Sequence, residues 1–243
     1  GAGVDQLNLA SIPENVRVVR MMEPGLTEGM IEYVLWAVLS YHRNMFQYAR
    51  QQGAHVWKGA PNVSSSLFRV GVMGMGALGT PVLKKLSQFG YVWHGWSRSR
   101  HDIPGIKSYA GPEELDAFLA ATDILVCLMP LTEATKGILS RKLFEKLPKG
   151  ACLINCGRGG HLVQDDLLWA LDNGQLSQAV LDVTDPEPLP EDHQFWDHPS
   201  IVLTPHIASS SRAAAGGEMI IKNIMQYENA LNMIGEIDRS FGY

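Results

Sequence analysis

Apolar and polar positions along the 243-residue chain follow two periods in turn. Apolar runs of strand length lie at 67–73, 91–96, 123–128, 151–155, 178–183 and 201–203. Between them, apolar residues recur at helical spacing over 77–89, 112–121, 140–147 and 164–173. Such alternation predicts a parallel sheet with helices on both faces, a doubly wound α/β fold. Ahead of this region, Met30, Ile31, Val34, Leu35, Val38 and Leu39 recur every three or four residues or less. They predict one long helix over 27–52, capped by Thr27 and stopped by Gly53. "VRVVRM" (16–21) reads as a short strand and "GAPNVSSS" (59–66) as a hinge loop. A last helix over 210–233 leads into a polar tail.

Composition narrows the class. With 46% hydrophobic and 19% charged residues, the chain is an ordinary soluble protein. Its formal net charge of -5 suits a cytoplasmic protein and argues against nucleic acid as the main partner. No apolar run approaches the ~20 residues that cross a bilayer. Cys127, Cys152 and Cys156 fall in or beside strand runs, as buried free thiols do. The histidines and cysteines lack metal-ligand spacing, so no metal site is expected.

"VGVMGMGALG" (70–79) is a strand followed by G-x-G-x-x-G and then a helix. Gly74 permits the tight turn, Gly76 lets the backbone approach a pyrophosphate, and Gly79 lets the helix pack on the strand. The helix start then offers free N–H groups to phosphate. This is a Rossmann-type cofactor site, with Met75, Ala77 and Leu78 in its loop. The ends of later strands add Met129, Pro130, Cys156, Gly157 and Asp182 to the expected lining. An acid that grips the adenosine ribose usually follows about 20 residues on. Ser97 stands there instead, followed by Arg98, Ser99 and Arg100. A carboxylate would repel a 2′-phosphate, whereas guanidinium groups bind one, so the expected cofactor is NADP(H).

Three further strand ends carry polar groups where open α/β sheets place their sites. "INCGRGG" presents Arg158 between glycines, "LDVTDPEPLP" carries Asp182 and Glu187, and "TPHIA" carries His206. An arginine, a carboxylate and a histidine on strand ends suit carbonyl reduction.

Those blocks, with "GAGVD", "GMGALG" and "LMPLTEATKGIL", resemble in order the signatures of the D-isomer-specific 2-hydroxyacid dehydrogenases. The match runs the whole length, and within the family it is nearest the bacterial glyoxylate/hydroxypyruvate reductases of the A type. The resemblance implies that Arg158, Glu187 and His206 are catalytic. It also implies that Ala2, Gly3 and Val4 bind the substrate carboxylate through their backbone, together with Arg158. The implied activity is NADPH-dependent reduction of small 2-oxoacids, glyoxylate to glycolate and hydroxypyruvate to D-glycerate, with His206 as general acid. Asp182 would orient the nicotinamide carboxamide, and Met30 could sit over the ring. A homodimer through the long helix is implied as well.

By the same resemblance, 23–207 is the NADP-binding domain. Residues 1–22 are a remnant of a second, flavodoxin-like substrate domain, and 208–243 return to it. The chain opens on "GAGVD", the carboxylate-binding loop, which implies the C-terminal portion of a longer protein with the N-terminal part of the substrate domain absent. Such a chain should bind NADPH yet lose most turnover. Ser97 departs from the family's common aspartate, and "NCGRGG" from the Thr-Ala that often precedes the arginine. Two other readings stay open: an NADP(H)-sensing binding module on a dehydrogenase fold, and a reductase for a larger 2-oxoacid.

Overall fold

Alternate residues of a strand face opposite sides of its sheet, and the sequence here makes both sides apolar. In the computed structural model, which describes residues 3–4 and 7–239, β1 (Arg69–Met73) sends Val70 and Val72 into one core and Met73 into the other. Six more strands follow: β2 (Val92–Ser97), β3 (Lys107–Ala110), β4 (Ile124–Cys127), β5 (Ala151–Asn155), β6 (Leu176–Leu181) and β7 (Ile201–Leu203). All pair in parallel, in the order β3-β2-β1-β4-β5-β6-β7. Every residue of β4 and β5 is buried, as the centre of a doubly wound sheet requires.

The first core packs Val34 and Val38 of α1 (Pro24–His42) with Val82, Leu83 and Leu86, the last three from a helix after β1. Between α1 and that helix, α3 (Gly79–Leu86), runs α2 (Met45–Gly53). The second core joins α4 (Leu115–Ala120), α5 (Arg141–Phe144) and α6 (Gln164–Asp172), with Phe118, Phe144 and Leu167 fully buried. The last helix is α7 (Ala213–Glu228). The strand order reverses between β1 and β4, so a crevice opens at their carboxyl ends, the usual ligand position. At the opposite edge, Arg69 clasps Asp123 with Nε and Nη2 at 2.9 and 2.6 Å, and its backbone N–H donates to the same carboxylate.

Several local expectations need correction. The helix expected over 27–52 is two, because Asn44 sits at φ 57°, a left-handed conformation that asparagine tolerates better than most residues. Its start is not capped by Thr27. Glu23 caps it, accepting from the Gly25 N–H, and Pro24 supplies a preset first turn. The strand expected at 16–21 reduces to an antiparallel bridge from Val19 to Glu236, flanked by Arg20 N–H to Gly235 O and Ile237 N–H to Val18 O. The last helix is shorter than 210–233 because the chain turns at Ala230, where φ is 54°. β3 escaped the pattern altogether: it is four residues long, at the sheet edge, with only Tyr109 buried.

Candidate active site

The glycines after β1 divide their tasks by space. Gly74 has φ 103°, and a Cβ there would lie 2.8 Å from the Leu128 backbone. A Cβ on Gly79 would lie 1.8 Å from Gly74 O, so α3 starts hard against the loop. At Gly76 a Cβ would meet nothing within 4 Å. This is an open cradle of backbone at a helix start, which fits a dinucleotide pyrophosphate. Met75 is buried beneath the loop against Gly95, whereas Ala77 and Leu78 line the crevice with Leu128, Met129 and Pro130.

At the end of β2, Ser97 turns inward and donates to Ser99 O at 2.7 Å. Arg98, Ser99 and Arg100 are exposed in the following turn. Arg100 reaches Ser108 O at 2.7 Å and Glu114 Oε1 at 2.6 Å. The Ala110 N–H and then Arg100 hold the Glu114 carboxyl below its ordinary range. The sequence reading missed Glu114. Its carboxylate comes from the loop after β3 rather than from β2, and an edge strand gives little periodic signal.

Arg158 leaves β5 on a loop that only glycine can build. A Cβ on Gly159 would lie 2.0 Å from the Thr184 carbonyl, and one on Gly157 would lie 2.9 Å from the His161 ring. His161, fully buried, accepts the Arg158 N–H at Nδ1 (3.0 Å) and reaches Pro130 O through Nε2 (3.2 Å). This buried histidine, three residues after the arginine, was also missed.

His206 Nδ1 lies 2.9 Å from Glu187 Oε2, and the Thr184 N–H fixes Oε1 of the same carboxylate at 3.0 Å. With Nδ1 engaged, Nε2 is the ring nitrogen left for a substrate. His206 has φ 55°, a strained value for a residue with a side chain. Asp182 holds it there. Its carboxylate, 2% exposed, accepts from Ile207 N–H (2.9 Å), Ala208 N–H (2.8 Å) and Thr204 Oγ1 (2.6 Å). Tyr33 of α1 backs Thr204 at 2.6 Å. Both oxygens of Asp182 are therefore engaged in building the turn. Tyr33 and Thr204 gave no sequence signal, because hydroxyls on a helix and a strand end are common.

These parts meet at one cleft with two arms, which share Gly3, Val4, Leu26, Leu78, Cys156 and Arg158. One arm covers Gly74, Gly76, Pro130 and Gly157, together with Arg20 and Met22. The other, of about 480 Å³, brings in Met30, Asp182 and His206. Ala2 lies outside the described residues. Cys127, Cys152 and Cys156 are buried and free.

The match to known proteins decides the family. Residues 35–208 match the model of the D-isomer specific 2-hydroxyacid dehydrogenase, NAD binding domain. The chain belongs to the D-isomer specific 2-hydroxyacid dehydrogenases. Solved structures of this family superpose over nearly all of it. A member from Klebsiella pneumoniae 342 is 41% identical, with a TM-score of 0.94 over 99% of this chain and 77% of that one. The NADPH-dependent glyoxylate/hydroxypyruvate reductase from Sinorhizobium meliloti, solved with NADP and sulfate, is 38% identical, with a TM-score of 0.95 over 100% of this chain and 78% of that one. A probable 2-hydroxyacid dehydrogenase from Rhizobium etli CFN 42, solved with NADP, HEPES and L(+)-tartaric acid, is 35% identical, with a TM-score of 0.95 and coverages of 100% and 78%. As a 2-hydroxyacid dehydrogenase, the chain is an oxidoreductase with a Rossmann-type cofactor domain. No helix among the described residues is long and apolar enough to cross a membrane.

Proposed function

We propose that this 2-hydroxyacid dehydrogenase reduces small 2-oxoacids, glyoxylate and hydroxypyruvate foremost, with His206 as general acid. One observation carries the reading: His206 sits 2.9 Å from the Glu187 carboxylate while lining the same cleft as Arg158. NADPH, when bound along Gly74–Gly79 with Met129, Pro130, Cys156 and Gly157 around it, supplies the hydride. Charge then grows on the substrate's keto oxygen, and His206 donates a proton to it from Nε2. Glu187 orients the ring through Nδ1 and offsets the charge of its protonated form. Arg158 polarises the keto group and, with the backbone of Gly3 and Val4, holds the substrate carboxylate.

NADP(H) rather than NAD(H) is supported by Ser97, Arg98 and Arg100 and by the NADP in both the Sinorhizobium and Rhizobium relatives. The proposed domains are 23–207 for cofactor, and 1–22 with 208–243 on the substrate side. The bridge from Val19 to Glu236 and the Arg17–Glu236 ion pair support joining those two segments. Exposed Trp36, Leu39, Met45, Val56 and Trp57 on and after α1 suit a homodimer face, and the charge balance suits the cytoplasm.

The test is NADPH oxidation over a panel of 2-oxoacids, with NADH alongside. Glyoxylate and hydroxypyruvate should speed NADPH loss above its background rate, so that even a small residual turnover is counted. If no 2-oxoacid speeds NADPH loss while the cofactor still binds, the reductase reading fails and a sensing module replaces it.

A further inference from the structure

Arg20 stands in the cleft with a buried guanidinium nitrogen that no group of the protein meets. Its backbone is pinned by the N–H bond to Gly235 O at 2.9 Å, beside the bridge from Val19 to Glu236. The side chain therefore leaves a fixed point. It lines the same arm of the cleft as Arg158, Gly3 and Val4, and its Nε is buried with no hydrogen-bond partner. Native structures seldom bury such a donor unsatisfied, and a guanidinium is the strongest case, since desolvating it forfeits charge-assisted bonds. Glu23 lines the arm too, but its carboxylate is already engaged by the Gly25 N–H at 2.7 Å and the Arg212 N–H at 3.0 Å.

On the proposed function above, Arg158 and the Gly3–Val4 backbone account for the one carboxylate and the keto oxygen of glyoxylate. That leaves nothing for Arg20. We propose that Arg20 is a second anion-binding point of the substrate cleft, which takes the distal carboxylate of a dicarboxylic 2-oxoacid. The inference rests on that reading and extends its substrate class: beside glyoxylate and hydroxypyruvate, the cleft takes 2-oxoacids with a second acid group beyond the keto carbon. The phosphates of the cofactor, bound near Gly76 in the same arm, offer similar oxygens, so the test separates the two sources.

The full chain and its R20Q and R20K variants are compared in three measurements. Malonate and acetate, unreactive probes with two carboxylates and one, are titrated calorimetrically into the NADP+ complex. NADPH affinity is read by fluorescence, and kcat/KM is taken for oxaloacetate and glyoxylate. Malonate should bind the parent complex at least about tenfold tighter than acetate, the scale of a hydrogen bond to a charged group. R20Q should erase that preference, R20K should keep part of it, and the oxaloacetate-to-glyoxylate ratio of kcat/KM should fall by a similar factor. A parent complex that binds malonate no better than acetate, or a preference that survives in R20Q, overturns the assignment. Weaker NADPH binding with a surviving preference gives Arg20 to the cofactor phosphates instead. If no 2-oxoacid is turned over, the reductase reading fails alone, because the malonate preference still decides Arg20.

Discussion

Thr204 Oγ1 donates to Asp182 Oδ1 at 2.6 Å, and through that bond a strand end is tied to the turn that carries His206. Asp182 takes two backbone N–H groups of the same turn, so its charge is met three times over. Asp182→Asn would set an amide N–H against one of these donors. We expect a loss of about 2–3 kcal/mol in stability, because a buried charged acceptor is removed. Tyr33→Phe, which removes only the bond behind Thr204, should cost about 1 kcal/mol. Urea unfolding of the three proteins checks the order.

His206→Ala should lower kcat by roughly 10²–10⁴-fold, the range of a removed general acid. Glu187→Gln keeps a hydrogen-bond acceptor near Nδ1 but drops the charge, so its loss should be smaller. Steady-state kinetics with NADPH and glyoxylate measure both. A His206→Ala variant with parental kcat would take histidine out of the mechanism.

Replacing Arg98 and Arg100 together by Gln should raise the KM for NADPH by roughly 10-fold or more and leave that for NADH almost unmoved. Arg100 already shares its guanidinium with Glu114 at 2.6 Å and Ser108 O at 2.7 Å, so the double replacement reads the two arginines together. Efficient use of NADH by the parent protein would contradict the reading of Ser97.

His94, buried on β2, bonds Thr122 Oγ1 at 2.8 Å between the rings of Tyr109 and Phe118. Burial first, then the charges of Arg69 and Lys107, push its pKa down from 6.5 to about 4. Unfolded chains therefore take up a proton near pH 6.5 that the fold refuses until about pH 4. Stability contributed by the neutral ring is full above pH 6.5 and declines as pH falls toward 4, by about 3 kcal/mol in all. Urea midpoints across that interval should show the decline, and His94→Gln should flatten it.

Gly79→Ala and Gly76→Ala should part company. The first drives a methyl to 1.8 Å from Gly74 O and should cost about 1–3 kcal/mol of stability or more. The second meets no protein atom within 4 Å, so it should fold normally while its methyl occupies the cradle and weakens NADPH binding. Thermal unfolding and cofactor titration separate the two effects.

What could be read from the chain follows what leaves a periodic trace. β4 is apolar at every position and β5 at all but its last, Asn155, so their runs stood out. The turn at Gly74–Gly79 was legible because a fixed glycine spacing answers a fixed backbone path. β3 was invisible, since one buried residue in four makes no pattern. Asn44 split a continuous helical period because a left-handed residue interrupts the backbone without changing the hydrophobic stripe. At the site, Arg158, Glu187 and His206 stood out from their blocks as candidates, while Tyr33, Thr204, His161 and Glu114 did not. These four act by holding other groups, and a supporting hydrogen bond depends on a meeting in space that no local spacing encodes.

The clasp of Arg69 on Asp123 lies at the amino ends of β1 and β4, the edge of the sheet turned away from the cleft. A strand of five residues sets about 13–17 Å between that edge and the loops that carry the chemistry. At the loop edge the backbone is bent to hold His206, and on the proposed function rigidity there serves the general acid. At the clasp edge no such demand exists. Thermostabilising changes made around Arg69 and Asp123 therefore fall outside the usual conflict between robustness and turnover. An engineer seeking a tougher dehydrogenase would begin at the floor of the sheet and leave its rim alone.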